Sequence, residues 1–392
     1  MQRQENLVTV FIKATLGVVV ILVVLFAIVI AYLAYVKNQY KSLPDTHDLA
    51  KRIGKMGNEY LAKRPRAAFV IGIIQRDRKW LEGFGSVAEN KKINPDGQTL
   101  FEIGSITKVF TALTAATLVE EGKLKWEDSV QQRLADKVQL RPEYGLIQLG
   151  HLATHRSGLP RLPANLDLSP EKMVDPYVNY AARDLYAFLK DHKPQKPAGK
   201  SIEYGNLGVG LLGQILAETE SKPLGDLISR RVCEPLGLTN TMFEPSEAMK
   251  ERMVSGHSPQ GATVPRWKFD ALAGAGALWS CGDDMLHFLE ANLAPEKTAL
   301  AKVLADCQRE HAASWTGNVG LGWQRLKTVQ GGLELVWHNG GTGGFVSFIG
   351  FDPVTKVGVV ILSNYGDAMK GDDSVDYMGF ELLKLASRIS LD

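Results

Sequence analysis

The sequence predicts a mixed α/β domain of the α+β kind. An antiparallel sheet is flanked by helices, a helical lobe is inserted in its middle, and one N-terminal transmembrane helix precedes it. Three observations lead there. Apolar, β-rich runs lie near the two ends of the 392-residue chain. The stretch between them carries helical apolar spacing. Residues 14–36, "ATLGVVVILVVLFAIVIAYLAYV", hold no charge.

The elements follow in chain order. Lys13 and Lys37 bound the 23-residue uncharged run. About 20 apolar residues span a bilayer as helix, whereas the apolar core of a signal peptide is about 7–15 residues. An uncleaved single-pass anchor is expected, after a short tail at 1–13. Residues 37–65 are polar and read as a membrane-proximal linker or helix, with the folded domain over 66–392. "AAFVIGII" (67–74) is a continuous apolar run, as in a strand covered on both faces. "WLEGFGSV" (80–87) follows as the second arm of a hairpin. "NLGVGLLGQILAETE" (206–220) and "DDMLHFLEANL" (283–293) have helical spacing. "GFVSFIGFDPVTKVGVVILSN" (344–364) contains two β-rich runs around the turn signal Asp352-Pro353. "YMGFELLKLASRISL" (377–391) closes the chain as a helix. Segment order places strands from both chain ends in one sheet.

Composition excludes several classes. Hydrophobic residues make 45%, charged residues 22%, and the net charge is +2, an ordinary globular balance. No basic stripe interleaves with aromatics, so nucleic acid is not an expected partner. Cys233, Cys281 and Cys307 lie far apart without a histidine pair nearby. Neither a disulfide framework nor a metal site is expected, and inert thiols are the reading.

Chemistry is concentrated in three places. "FEIGSITKVFTALTAATLVEEGKL" (101–124) carries Ser105 and Lys108 at i and i+3, on one face of a helix. At a helix start the serine sits at the positive dipole end. The lysine lies in an otherwise apolar run, where burial lowers its pKa and lets it take a serine proton. A serine and lysine so spaced arise about once by chance in such a chain. A second pair, Ser169 and Lys172 in "LSPEKMV", reads instead as an N-cap before a first helical turn. Tyr204 and Asn206 in "SIEYGNLGVG" offer a phenol as acid or base and an amide for hydrogen bonding. The plain alternative is that Asn206 caps the helix and Tyr204 packs. His338 in "WHNGGTGGF" precedes four glycines in five positions, read as a strand start that lets another group approach the backbone. Its plain alternative is a hairpin loop with a surface histidine.

Taken in order, S-x-x-K, Y-x-N and H-x-G form a set. The sequence resembles the serine β-lactamase and penicillin-binding DD-peptidase superfamily, in its class C β-lactamase-like branch, over roughly residues 66–365. Supporting stretches are "HLATHRSGLP" (151–160), "CEPLGLTNTMF" (233–243), "AGAGALWSCGDDM" (273–285), "GLGWQ" (320–324) and "HNGGTGGFVSFIGFDP" (338–353). The resemblance implies a β-lactamase/transpeptidase-like fold and no cofactor. It implies Ser105 as acyl-accepting nucleophile and Lys108 as its proton relay. Tyr204 becomes the general base and leaving-group acid, and Asn206 positions the substrate amide. The backbone N–H groups of Ser105 and Gly341 form the oxyanion hole. His338 and Asn339 stand where class C enzymes usually have lysine and a hydroxyl. A histidine near its reference pKa of about 6.5 implies weaker or pH-dependent binding of a substrate carboxylate.

The expected function is a membrane-anchored serine hydrolase acting on a β-lactam or a D-amino-acid peptide, such as a cell-wall peptide. A carboxylesterase and a catalytically silent penicillin-binding or sensor module are the alternatives. Lysines beyond the apolar run place the domain in the cytoplasm by the positive-inside count. The family's usual work outside the cytoplasmic membrane places it in the periplasm. Long domains cross largely regardless of charge, so the second expectation is preferred.

Overall fold

The computed structural model describes residues 49–88, 92–314, 317–327, 333–366 and 371–388. The expected membrane run at 14–36 lies outside them. Among the described residues no helix is long and apolar enough to cross a membrane.

Among the described residues, twelve strands run along the chain. They are β1 (Ala68–Gln75), β2 (Arg78–Gly85), β3 (Leu100–Glu102), β4 (Gly256–His257), β5 (Thr263–Val264) and β6 (Trp279–Cys281), then β7 (Ala312–Ser314), β8 (Gly317–Val319), β9 (Gln324–Lys327), β10 (Glu334–Gly341), β11 (Val346–Asp352) and β12 (Val357–Ser363). Eight of them form one sheet in the order β2-β1-β12-β11-β10-β9-β8-β7. Each neighbouring pair is antiparallel, and Phe69 of β1 faces Ser363 of β12 in register. Strands from the two chain ends therefore share one sheet, as segment order predicted, with β1 beside β12 near one edge. β7, β8 and β9 were not foreseen. They are only three or four residues long, too short to carry an apolar period.

Alternation along β1 sends Val70 and Ile74 to one face and Phe69, Ile71 and Ile73 to the other. The Gly282–Leu293 helix covers the first face with Met285 and Leu289. The Val375–Ala386 helix covers the second with Leu382 and Leu383. The Leu49–Lys63 helix joins that second layer through Leu49, Ile53 and Tyr60. Each large apolar side chain so buried contributes roughly 1.5–3 kcal/mol. This helix, within the expected linker or helix at 37–65, belongs to the compact unit Asp48–Asp392.

The inserted lobe contains the Thr107–Glu120, Ala182–Asp191 and Asn206–Glu220 helices, the last with the bounds expected. The Thr107–Glu120 helix is buried on every side from Thr107 to Leu118, which is why its sequence lacks a polar face. Ser169 does not cap a helix. Its carbonyl accepts from Lys172 and Met173 in a non-helical turn, and Asp167 receives its N–H at 3.0 Å. The three cysteines are buried free thiols.

Candidate active site

The site is assembled where the lobe meets the sheet. Gly104–Ile106 forms one 3-10 turn that runs into the Thr107–Glu120 helix, placing Ser105 at the junction. Gly104 has φ +48°, and a Cβ there would lie 2.6 Å from the Gly341 nitrogen. A Cβ on Gly340 would lie 2.0 Å from the Ile103 carbonyl oxygen. Only glycine permits this backbone-to-backbone contact between the serine turn and β10. The Ser347 hydroxyl also donates to the Ile103 carbonyl, at 2.9 Å. The glycine run is the end of β10 and the turn to β11, not a strand start.

Lys108 is fully buried. Its Nζ donates to Ser105 Oγ at 2.8 Å and to the Ala275 carbonyl at 2.7 Å. Burial, and secondarily the positive charge of Arg161, hold its pKa well below the usual lysine range. The "AGAGALWSC" segment clamps the same helix. Thr111 donates to the Gly274 carbonyl at 2.8 Å, and Leu278 N–H donates to the Thr107 hydroxyl at 3.0 Å.

Tyr204 lies beside these groups, with its ring centroid 5.0 Å from Lys108 Nζ. Burial pushes its phenol up to about 12, and the Ser105 hydroxyl and Arg161 offset part of that rise. The phenol therefore rests protonated. Asn206 is the first residue of its helix, not the cap, which is Gly205. Its amide donates to the Tyr177 hydroxyl at 2.8 Å, while its own buried oxygen has no partner among the described residues.

His338 is fully buried rather than superficial. Its Nδ1 lies 2.6 Å from the Asn339 carbonyl oxygen. Burial drives its pKa down to about 3, with Lys108 adding to the fall. At that value the ring is held neutral across the physiological range. Asn339 corrects another expectation. Strand alternation turns it to the opposite face of the sheet, where its amide donates to Asp376 at 2.5 Å. It does not stand in for a hydroxyl in the site.

Three contributors escaped sequence reading. His155 is a buried neighbour of Tyr204, with ring centroids 4.6 Å apart, held neutral by burial and by nearby Lys108. Its left-handed backbone, φ +56°, leaves no sequence signal. Ala275 acts through its carbonyl, which residue type cannot reveal. Glu102, two residues before Gly104, is buried at 4% exposure and accepts the Trp267 N–H at 3.0 Å. Burial raises its pKa to about 7, with the Thr342 hydroxyl and that N–H opposing the rise. A cavity of 1180 Å³ beside His287 and Lys356 holds none of these groups.

A serine against a buried lysine and a phenol, on a sheet edged by helices, is the arrangement of an active-site serine hydrolase. The family model described as Beta-lactamase matches residues 55–382, and the chain belongs to that family. A β-lactamase of Pseudomonas fluorescens is 28% identical over 338 residues, covering 76% of this chain and 88% of the relative. The D-alanyl-D-alanine-carboxypeptidase/endopeptidase AmpH of Escherichia coli is 24% identical over 308 residues, covering 74% and 77%. Protein flp of Staphylococcus aureus is 26% identical and matches 81% of this chain over 64% of its own length. Among solved structures, a class C β-lactamase has a TM-score of 0.75 at 21% identity, covering 89% of this chain and 98% of its own. A β-lactamase/D-alanine carboxypeptidase from Pseudomonas syringae has a TM-score of 0.74 at 21% identity, covering 86% and 98%. The expected family, its mixed fold and its serine hydrolase class therefore hold.

Proposed function

We propose that the chain hydrolyses an amide or ester carbonyl, in a β-lactam or a D-amino-acid peptide, through an acyl-enzyme on Ser105. The observation that carries the reading is the 2.8 Å contact between Ser105 Oγ and the fully buried Lys108 Nζ. Lys108, in its neutral form, takes the hydroxyl proton as Oγ attacks the carbonyl carbon. The backbone N–H groups of Ser105 and Gly341 receive the oxyanion, and each such donor is worth about 100–1000-fold in turnover. Tyr204 gives its proton to the leaving nitrogen or oxygen and regains one from Lys108. Its raised pKa favours this acid role over the base role assigned from the resemblance. Asn206 offers its unpaired oxygen to a substrate N–H. Water then cleaves the acyl ester.

The relatives' names support both β-lactam and D-alanyl peptide substrates. Intact mass of a soluble form mixed with a penicillin separates the outcomes. A lasting adduct absent from Ser105→Ala marks a peptidase-like enzyme with slow deacylation. Drug loss without an adduct, dependent on Ser105, marks a β-lactamase. If neither occurs, and esters and D-peptides also survive, the silent-module alternative replaces this reading.

The 23 uncharged residues at 14–36 support a single-pass anchor in the cytoplasmic membrane; the periplasmic side for the domain rests on the family resemblance, against the lysine count beyond the run. Alkaline phosphatase fused at the C-terminus should be active, and an inactive fusion that is still expressed sinks the orientation.

A further inference from the structure

The hydrolase reading gives Tyr204 the acid role, and one neighbour is tied to that residue more closely than packing requires. His155 grips the chain on both sides of Tyr204. Its carbonyl accepts the Glu203 N–H at 2.7 Å, and its ring Nδ1 accepts the Gly205 N–H at 3.4 Å. The ring also lies against the phenol, tilted by 43° with centroids 4.6 Å apart. Because Nδ1 accepts, the ring proton sits on Nε2. That nitrogen is buried and has no partner among the described residues. The backbone of His155 is left-handed, φ +56°, a region that a non-glycine residue adopts at a cost. A strained backbone and an unanswered buried donor both lower stability, so folding alone gives no reason for a histidine here. Contact with Tyr204 does. Any residue at 155 could offer the carbonyl, just as the Arg161 carbonyl takes the next N–H groups, of Asn206 and Leu207, at 2.9 and 3.1 Å. Only the imidazole reaches both Gly205 and the phenol ring.

We propose that His155 is a positioning residue for the reaction, whose imidazole fixes the Tyr204 side chain where the phenol can hand its proton to the leaving group. The inference rests on the hydrolase reading above and on the acid role it gives Tyr204.

The test compares the methyl and p-nitrophenyl esters of N-acetylglycine. Methoxide must be protonated as it leaves, whereas p-nitrophenolate leaves as the anion. The readout is the p-nitrophenyl-to-methyl ratio of kcat/KM, a ratio of transition-state stabilisation for two leaving groups on one acyl group. Tyr204→Phe should raise that ratio by about 100-fold or more, and His155→Gly, which keeps the left-handed backbone without strain, by about tenfold or more. His155→Asn, which keeps an acceptor near the place of Nδ1, should stay closer to the wild type. On the Tyr204→Phe background His155→Gly should add nothing to the ratio. A merely structural role would lower both esters together and leave the ratio where it was. A ratio unchanged in folded His155→Gly, beside a raised one in Tyr204→Phe, overturns the proposal alone. Where His155→Gly fails to fold, His155→Phe, a ring without the acceptor, is read in the same way. A ratio unchanged in Tyr204→Phe, or no Ser105-dependent turnover of either ester, instead overturns the hydrolase reading as drawn, and this inference with it.

Discussion

The chain contains the same four-residue pattern twice, and the two copies differ in everything but spacing. At Ser105 and Lys108 the lysine is fully buried and touches the serine. At Ser169 and Lys172 the lysine is exposed and only the backbone closes the turn. Both pairs are three apart, so spacing cannot explain the difference. Desolvation can: an ammonium in water keeps its proton, whereas one buried beside a hydroxyl is driven toward the base form.

The largest effect that tests this contrast is at Lys108 itself. Lys108→Met fills similar volume without the amine. Turnover should fall about 100–10,000-fold, while Tm, read by calorimetry, should hold or rise because a buried polar group is gone. A large fall in Tm would make Lys108 structural instead. Gly340→Ala comes next. Its methyl group meets the Ile103 carbonyl, so the serine turn must shift, and kcat should drop about tenfold or more in the same assay.

Glu102 ranks third and probes the opposite sign of buried charge. Its folded pKa of about 7 lies above the ordinary glutamate value, so its contribution to stability is full at acid pH and is lost as pH rises through about 7. Glu102→Gln should therefore match the wild type near pH 4.5 and exceed it at pH 8 by at most about 3 kcal/mol in urea unfolding. An equal effect at both pH values would show that Glu102 does not titrate in this range. His338→Gln should leave every inflection of the kcat/KM profile between pH 5 and 8 in place, because the imidazole is already neutral there. Lys172→Ala should be the smallest change, within about 0.5 kcal/mol in stability and with no effect on turnover. A measurable loss of activity there would end the contrast.

Sequence reading went furthest where chemistry leaves a residue type in an odd place. A lone lysine in an apolar helix, a tyrosine and amide at a helix start and a glycine run were all visible, and they converge in space. What it missed has physical reasons. The Ala275 carbonyl belongs to a residue with no chemistry of its own. His155 sits beside Tyr204 through a fold that its neighbours do not announce. The resemblance puts Asn339 where the family usually has a hydroxyl, although successive strand residues face opposite ways and Asn339 turns away from His338. Ser169 followed a local rule for helix starts, but no apolar face there gives a helix reason to continue.

The pairing of β1 with β12 also has a consequence in time. Phe69 and Ser363 come together only after almost the whole chain has been synthesised. Ser105 leaves the ribosome more than two hundred residues before His338 and Gly341. Until β10 arrives, the serine turn has no strand to rest on. The candidate site is therefore put together only at closure of the sheet, a late and non-local step.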